Sequence, residues 1–394
     1  MNSNETYQLS RRDCDLLRII ASIMVVVTHC IHVWVIDFYN VRSFLSLGFI
    51  ATIIDQGIRF TVPVFFFLSG FGLTIQLLKN PPRLSAYYRG RMPKIVAPFL
   101  VWSVISSPRH FGYFWQLPWH DAPGSALWNA FKFIFFYGMD YQYYFLIILF
   151  QFYLVLPFLY RWMRRGWAVG VVFLIQLTFM TPSDYLFARF GWTFPVLGSS
   201  LLIFYGFYFC IGIYMAWHRD FLTGLLRRLS RAQVLALWIV SLVLVIIEFW
   251  INIQHGKSLE NTDHFNRWTV ILYCAASFFL FLKNKDWISS RFHQNPHWNF
   301  IYLGMAPYAF FVYLIHTHVL RLVDYLCQEV SLFDFTTRIL WVVGGSYLAT
   351  WTIQWLLANH PRLRFALGLP KERIRREDLP GYTYILSRLK RGTE

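Results

Sequence analysis

The sequence predicts an all-α fold: a polytopic membrane bundle of about ten transmembrane helices with both termini in the cytoplasm. Three observations predict it. Hydrophobic residues make up 57% of the 394 and charged residues only 14%, whereas soluble globules carry about 25% charged. Apolar runs of membrane-spanning length recur from residue 16 to residue 358 with short breaks. The loops between them alternate in charge, one set basic and the other mixed.

A span needs ~17–25 mainly apolar residues, which places ten at 15–36, 47–78, 93–107, 142–160, 167–181, 196–217, 233–253, 267–282, 300–323 and 335–358. The second is too long for one straight crossing and reads as a lead-in followed by a span over 57–78. An apolar patch at 127–137 reads as interfacial or re-entrant. Residues 1–14 form a polar N-terminal segment, 15–358 the membrane domain and 359–394 a basic tail suited to anionic lipid. The polar start, MNSNETYQLSRRD, has no small-residue cleavage site after it and reads as leading into an uncleaved first span.

Net charge is +16, which in a soluble protein would suggest nucleic acid. Here the cations follow topology, so no nucleic acid partner is expected. Arg11, Arg12, Lys79, Arg83, Arg89, Arg91, Lys94, Arg161, Arg164, Arg165, Arg219, Arg227, Arg228, Lys283 and the tail fall on one side, which the positive-inside rule makes cytoplasmic. Asp37, Arg42, Asp121, Asp184, Glu260, Asp263, Asp324, Glu329 and Asp334, a mixed set with an acidic lean, fall on the other. The five cysteines are scattered without metal-ligand spacing, so neither a metal site nor a disulfide framework is expected.

Two residues break the grease of the first span, LLRIIASIMVVVTHC. Arg18 and His29 are eleven positions apart, a rotation of three turns plus ~20° and a rise of ~16 Å. They share a face, Arg18 near the cytoplasmic mouth and His29 past the midplane, with His32 one turn on. Arg18 alone reads equally as a snorkelling anchor; ionisable groups inside a span mark a pathway or a reaction site. A histidine is suited to take a proton from a hydroxyl, and a cation at the mouth favours an anion. RLSAYYRGRMPK adds Arg83, Arg89, Arg91 and Lys94 at the start of the third span. This cluster fits either plain topology or a donor with several phosphates, with Tyr87 and Tyr88 as stacking surface. Together these suggest group transfer across the membrane.

DLLRIIASIMVVVTH, with its Asp-x-x-Arg, ten residues and His, resembles the opening signature of the acyltransferase 3 family of integral membrane acyltransferases. VPVFFFLSGFG (Val62 to Gly72) is similar to its Phe-rich run ending in Ser-Gly, and YRGRMPKIVAPF to its basic-then-proline segment. YYFLIILFQFYLVLP and APYAFFVYLIH resemble its later aromatic and Tyr-Leu-x-His segments. The likeness runs from about 11 to 358, in the stand-alone branch similar to the enterobacterial common antigen O-acetyltransferase, with Arg59-Phe-Thr-Val-Pro63 departing from the usual approach to the Phe run.

That resemblance implies an acyl-CoA donor, most often acetyl-CoA, reaching the protein from the cytoplasm. It implies as acceptor a hydroxyl of a cell-surface glycan or glycolipid at the outer face of a bacterial inner membrane, with membrane lipid around the whole. His29 becomes the general base and Arg18 the donor-phosphate or structural partner, held by Asp15 at i,i+3. Arg89, Arg91 and Lys94 serve the coenzyme phosphates. Ser69 and Gly70 either shape the site or pack helices. Arg59, Tyr143, Gln151, Tyr313 and His316 are candidates to line the acceptor cavity, with His318 off that face. Glu248 either orients a sugar or pairs with Arg267. A transporter or accessory export subunit is the competing reading, but the Arg18/His29 pattern has no counterpart in the second half, where transporters usually repeat.

Overall fold

The computed structural model describes residues 7–180, 200–262, 265, 267–327 and 332–370. The first residues of the expected sixth span, the acidic positions 184, 263 and 329, and the tail beyond 370 lie outside them. Among the described residues every regular element is a helix, without strands.

The first helix, α1 (Arg11–Val41), starts on a capping box. Ser10 Oγ accepts from Asp13 N at 3.2 Å, and Asp13 Oδ2 accepts from Ser10 N at 2.9 Å. Two of the donors that every helix start leaves orphaned are thereby satisfied. The helix ends at Arg42 in the left-handed region, φ 57°. It packs against α2 (Leu47–Gly57), α3 (Thr61–Lys79), α14 (Ala309–Leu326) and α15 (Leu332–Leu356), so its polar stripe faces protein on several sides.

The long second span is broken, as its length requires. Between α2 and α3 the chain turns through Ile58–Phe60. The turn is held by the buried ion pair of Arg59 with Asp55 and by Arg59 lying 5.0 Å over the Phe265 ring. Among the described residues, five helical stretches are long and apolar enough to cross a bilayer: Arg11–Val41, Leu47–Lys79, Tyr141–Trp162, Arg231–Gln254 and Tyr302–Leu326. Other expected spans are shorter helices, α5 (Pro93–Ser106), α8 (Gly166–Met180) and α9 (Gly206–Trp217), of 14, 15 and 12 residues. At 1.5 Å per residue they reach about 18–22 Å, short of a ~30 Å hydrocarbon core. The patch at 127–137 forms α6 (Pro123–Lys132) continued by one π-helical turn.

Three consecutive phenylalanines explain how α3 locks the bundle. Successive residues on a helix point ~100° apart, so the three rings spread over several neighbours, Phe65 and Phe66 sharing Phe145. Phe65 meets Phe145 and Tyr313, Phe66 meets Phe152 and Tyr205, and Phe67 meets Phe278 of α12 (Trp268–Gln294). On the remaining side α3 touches α9 backbone to backbone. A methyl on Gly70 would stand 2.2 Å from the Phe209 carbonyl oxygen, and one on Gly212 2.2 Å from that of Phe67. Only hydrogen fits at either position, which is the small-residue contact that brings membrane helices close.

Near the N-terminal end of α1, Gln8 donates to Asp220 at 2.8 Å, and Lys283 donates to the Tyr7 hydroxyl and the Leu226 carbonyl at 2.8 and 2.7 Å. These bonds seat the N-terminal segment on α10 (Phe221–Arg228) and α12. From the far end of α15, α16 (Pro361–Leu367) folds back onto α5. There Trp102 Nε1 donates to the Leu367 carbonyl at 3.0 Å, and Gly368 (φ 86°) turns the chain so that Leu369 enters the core.

Candidate functional site

The polar groups of α1 serve two sites at different depths. At the N-terminal one, Arg18 Nη1 donates to Asp15 Oδ1 at 2.5 Å, the i,i+3 contact the spacing predicts. Asp15 is held in turn by the Tyr302 hydroxyl at 3.4 Å and by Arg11 at 3.9 Å. Arg18 keeps 38% of its side chain exposed, and its second terminal nitrogen lies across from Gly72, where a methyl would stand 3.7 Å from it. The cation is therefore fixed at one nitrogen and open at the other.

Beside it, a cavity of ≈ 330 Å³ opens between the end of α3 and α4 (Leu84–Arg91), with Gln76, Lys79, Asn80, Tyr87 and Arg91 in its wall. Arg91 and Arg18 both lie within electrostatic reach of the Tyr153 hydroxyl, which places them around one region. Arg89 and Lys94 are exposed and do not line the cavity wall. Tyr87 and Tyr88 are anchors, a use that stacking arguments on the sequence overlook. Their hydroxyls donate to the Tyr153 and Leu154 carbonyls at 3.1 and 2.7 Å, pinning α4 to α7 (Tyr144–Trp162), and Tyr87 is buried.

At the deeper site, His29 is half-buried between two rings. Tyr141 is 4.8 Å away centroid to centroid and tilted 54°; His316 of α14 is 5.2 Å away with planes 24° apart. His316 is fully buried, and its Nδ1 lies 2.7 Å from the Tyr313 carbonyl and 3.3 Å from that of Val312. A ring nitrogen facing two carbonyls carries the proton. Nε2 is then a bare lone pair, and among the described residues it has no hydrogen-bond partner. Tyr313 stacks its ring toward His316 at 5.9 Å and donates its hydroxyl to the Gln142 carbonyl.

What holds Tyr141 against His29 is a network that reading the sequence missed. Asp140 accepts from Arg321 at 2.6 and 3.0 Å, from Arg109 at 2.8 Å and from Thr317 at 3.2 Å. Gln142 donates to Thr317 at 2.7 Å. The Asp140 carboxyl is 2% exposed while both guanidiniums keep about a third of their surface open. Burial pushes its pKa up, but the Arg321 hydrogen bonds and charge, with Arg109 behind, outweigh burial and hold it below the usual carboxylate value. A signal existed: Asp140 is the lone acid before an aromatic YQYY run, and Arg321 lies within a span five residues beyond His316.

Some expected cavity residues are occupied elsewhere. Gln151 donates to the Ser200 carbonyl at 2.7 Å and accepts from Leu202 N at 3.0 Å, so both ends of its amide hold backbone. Tyr143 is fully buried, its hydroxyl 3.1 Å from Ser106 Oγ and 3.4 Å from the Trp102 carbonyl. The aromatic neighbour of His29 is Tyr141, two residues earlier. His318 faces Ser106 and the Trp102 ring, off the His29 face. Glu248 accepts from Thr269, while Arg267 donates to Gln56 and to the Val245 carbonyl at 3.2 Å. Ser69 is half-buried and makes no hydrogen bond among the described residues, whereas Gly70 beside it is the helix contact. Among the described residues no three His, Cys, Asp or Glu side chains gather as a metal-binding group.

The arrangement is an imidazole pair on α1 and α14 and a basic cavity between α3 and α4, with Arg18 of α1 across from Gly72, beside the cavity-lining Leu73. Such a pair can receive a proton, and such a cavity can hold an anion. No curated protein and no solved structure matches the chain. The model of the acyltransferase 3 family, described as "Acyltransferase domain", matches residues 11–358, and it is to this family of membrane acyltransferases, acting on groups other than aminoacyl groups, that the chain belongs.

Proposed function

We propose that the protein moves an acyl group, acetyl in the first instance, from cytoplasmic acyl-CoA to a hydroxyl of a cell-surface glycan or glycolipid at the outer face of a bacterial inner membrane. About ten spans carry it, with both termini cytoplasmic. The observation that carries the reading is the division of α1: Arg18 faces Gly72, next to the Leu73 that lines the cavity of Lys79 and Arg91, and His29 sits three turns on beside His316 and Tyr141. The phosphates of the donor lie by Arg91 and Lys79, with Arg89 and Lys94 around the rim. The thioester reaches inward past Arg18 toward His29. Neutral His29 removes the acceptor's proton as its oxygen attacks the thioester carbonyl; the C–S bond then breaks, and the thiolate takes the proton from His29. General-base catalysis of this kind is worth about 10²–10⁴-fold.

Purified protein in proteoliposomes, given radiolabelled acetyl-CoA and membrane glycolipid, tests the proposal. Label passes to the acceptor with the wild type, and His29→Ala lowers transfer by about 10²-fold or more while the protein still inserts. Full transfer by His29→Ala would remove this base from the mechanism. Absence of any label in glycan, from a protein that still supports export, would return the transporter reading.

A further inference from the structure

A neutral imidazole that acts as a base turns its lone pair to the hydroxyl and keeps an N–H on its other nitrogen, and inside a membrane that donor needs an acceptor. His29 makes no hydrogen bond through either ring nitrogen among the described residues; it is held by ring contacts with Tyr141 and His316. His316 has the opposite problem. Its Nδ1 proton is committed to the Tyr313 carbonyl, and its Nε2 lone pair is buried with no donor among the described residues. The next residue, Thr317, is bonded to Asp140 and Gln142, so this turn of α14 is fixed, whereas no hydrogen bond among the described residues fixes the orientation of the His29 ring. The rings now stack, with centroids 5.2 Å apart; turned edge to edge at that separation, two ring nitrogens would come to about 2.9 Å, an ordinary hydrogen-bond length.

We propose that His316 is the positioning partner of His29: its Nε2 accepts a hydrogen bond from the N–H that His29 carries on the nitrogen turned away from the acceptor hydroxyl. The inference rests on the reading of His29 as the base. One nitrogen of His29 receives the hydroxyl proton as the O–acyl bond forms and the C–S bond breaks, and returns it to the thiolate. The other nitrogen donates to His316 throughout, and no proton crosses to His316. A neutral imidazole then does what a carboxylate does behind other catalytic histidines, fixing tautomer and orientation, without placing a further charge in the bilayer.

Glutamine and asparagine at 316 separate acceptor from bulk. His316→Gln places an amide oxygen where Nε2 was, and His316→Asn reaches only to the position of Nδ1. In proteoliposomes with radiolabelled acetyl-CoA, the Gln variant is expected to keep kcat within about 5-fold. The Asn variant is expected to lose on the order of 10²-fold, the worth of a hydrogen bond to a charged group. Donor KM should stay within about 2-fold in both, because the donor cavity is remote, and equal thermal unfolding in detergent excludes a folding cause. Equal kcat for Gln and Asn, or loss of kcat and KM together, overturns the proposal. His29→Ala in the same assay separates the two readings. If it is inactive while Gln and Asn are equal, only the partner role of His316 fails; if it is fully active, the base reading fails with it.

Discussion

Arg18 shows how little a single residue's type decides and how much its neighbours do. Alone it is a snorkelling cation; tied to Asp15 on one side and open toward Gly72 on the other, it is a positive charge fixed at one nitrogen. Arg18→Ala is expected to abolish most acyl transfer with the protein still inserted, checked by the labelled-donor assay against a membrane-fraction blot. Arg91 lines the cavity and gives a different signature. Arg91→Ala should raise donor KM by about 10-fold and leave kcat nearly unchanged, because uniform phosphate binding acts on ground and transition states alike. A pure kcat effect would contradict that placement. Asp15, Arg18 and His29 were legible at this scale because helix arithmetic alone puts them on one face. Tyr141 was not, because four neighbouring polar and aromatic positions, Tyr141 to Tyr144, look equivalent until the turn before α7 fixes which ring points where.

At the scale of elements, two contacts set the geometry, and each carries a prediction. The glycine seam between α3 and α9 leaves no room for a methyl. Gly212→Ala should cost about 1–3 kcal/mol or more, as overpacking does, and lower the melting temperature in detergent. Gly224→Ala, where nothing lies within 4 Å, should not. The other contact is the Asp140 clamp between the chain entering α7 and α14. Asp140→Asn leaves two guanidiniums facing a neutral amide. The expected loss is about 2–3 kcal/mol, under the 3–5 of a fully buried pair because both arginines are partly solvated. Since the folded carboxyl titrates below its unfolded value of ~3.9, its contribution is fully present above that value. It disappears only as pH falls through the lower folded value. Melting measured from pH 7 down to pH 3 should therefore show the wild type losing its margin over Asp140→Asn only below about pH 4.

At the scale of the molecule, the ends of the bundle differ in chemistry. Lys79, Arg91, Lys283 and the docked N-terminal segment share one end; Arg109, Asp140, Arg321 and the Asp324–Arg338 pair share the other. This polarity is what the proposed topology requires, and the cysteines make it measurable. Cys14, Cys30, Cys210 and Cys274 are buried, and Cys327 at the end of α14 is exposed. A membrane-impermeant maleimide added to intact spheroplasts should label the wild-type protein, and Cys327→Ser should remove the label. Labelling only after permeabilisation would invert the proposed orientation.

The sequence by itself determined the helical class, the membrane setting, the Asp15–Arg18–His29 face and the acyltransferase family, because these depend on composition, a period of 3.6 residues and local motif spacing. It also required a break in the long second span, since no single helix of that length fits a bilayer. Only the tertiary structure decided which ring flanks His29, which cation clamps Asp140, and that Gln151 and Tyr143 are committed to structure. Each of those depends on partners distant in sequence, such as Gln142 with Thr317 or His29 with His316. In a bilayer a buried polar group must find a partner within the protein, and folding the helices together selects that partner.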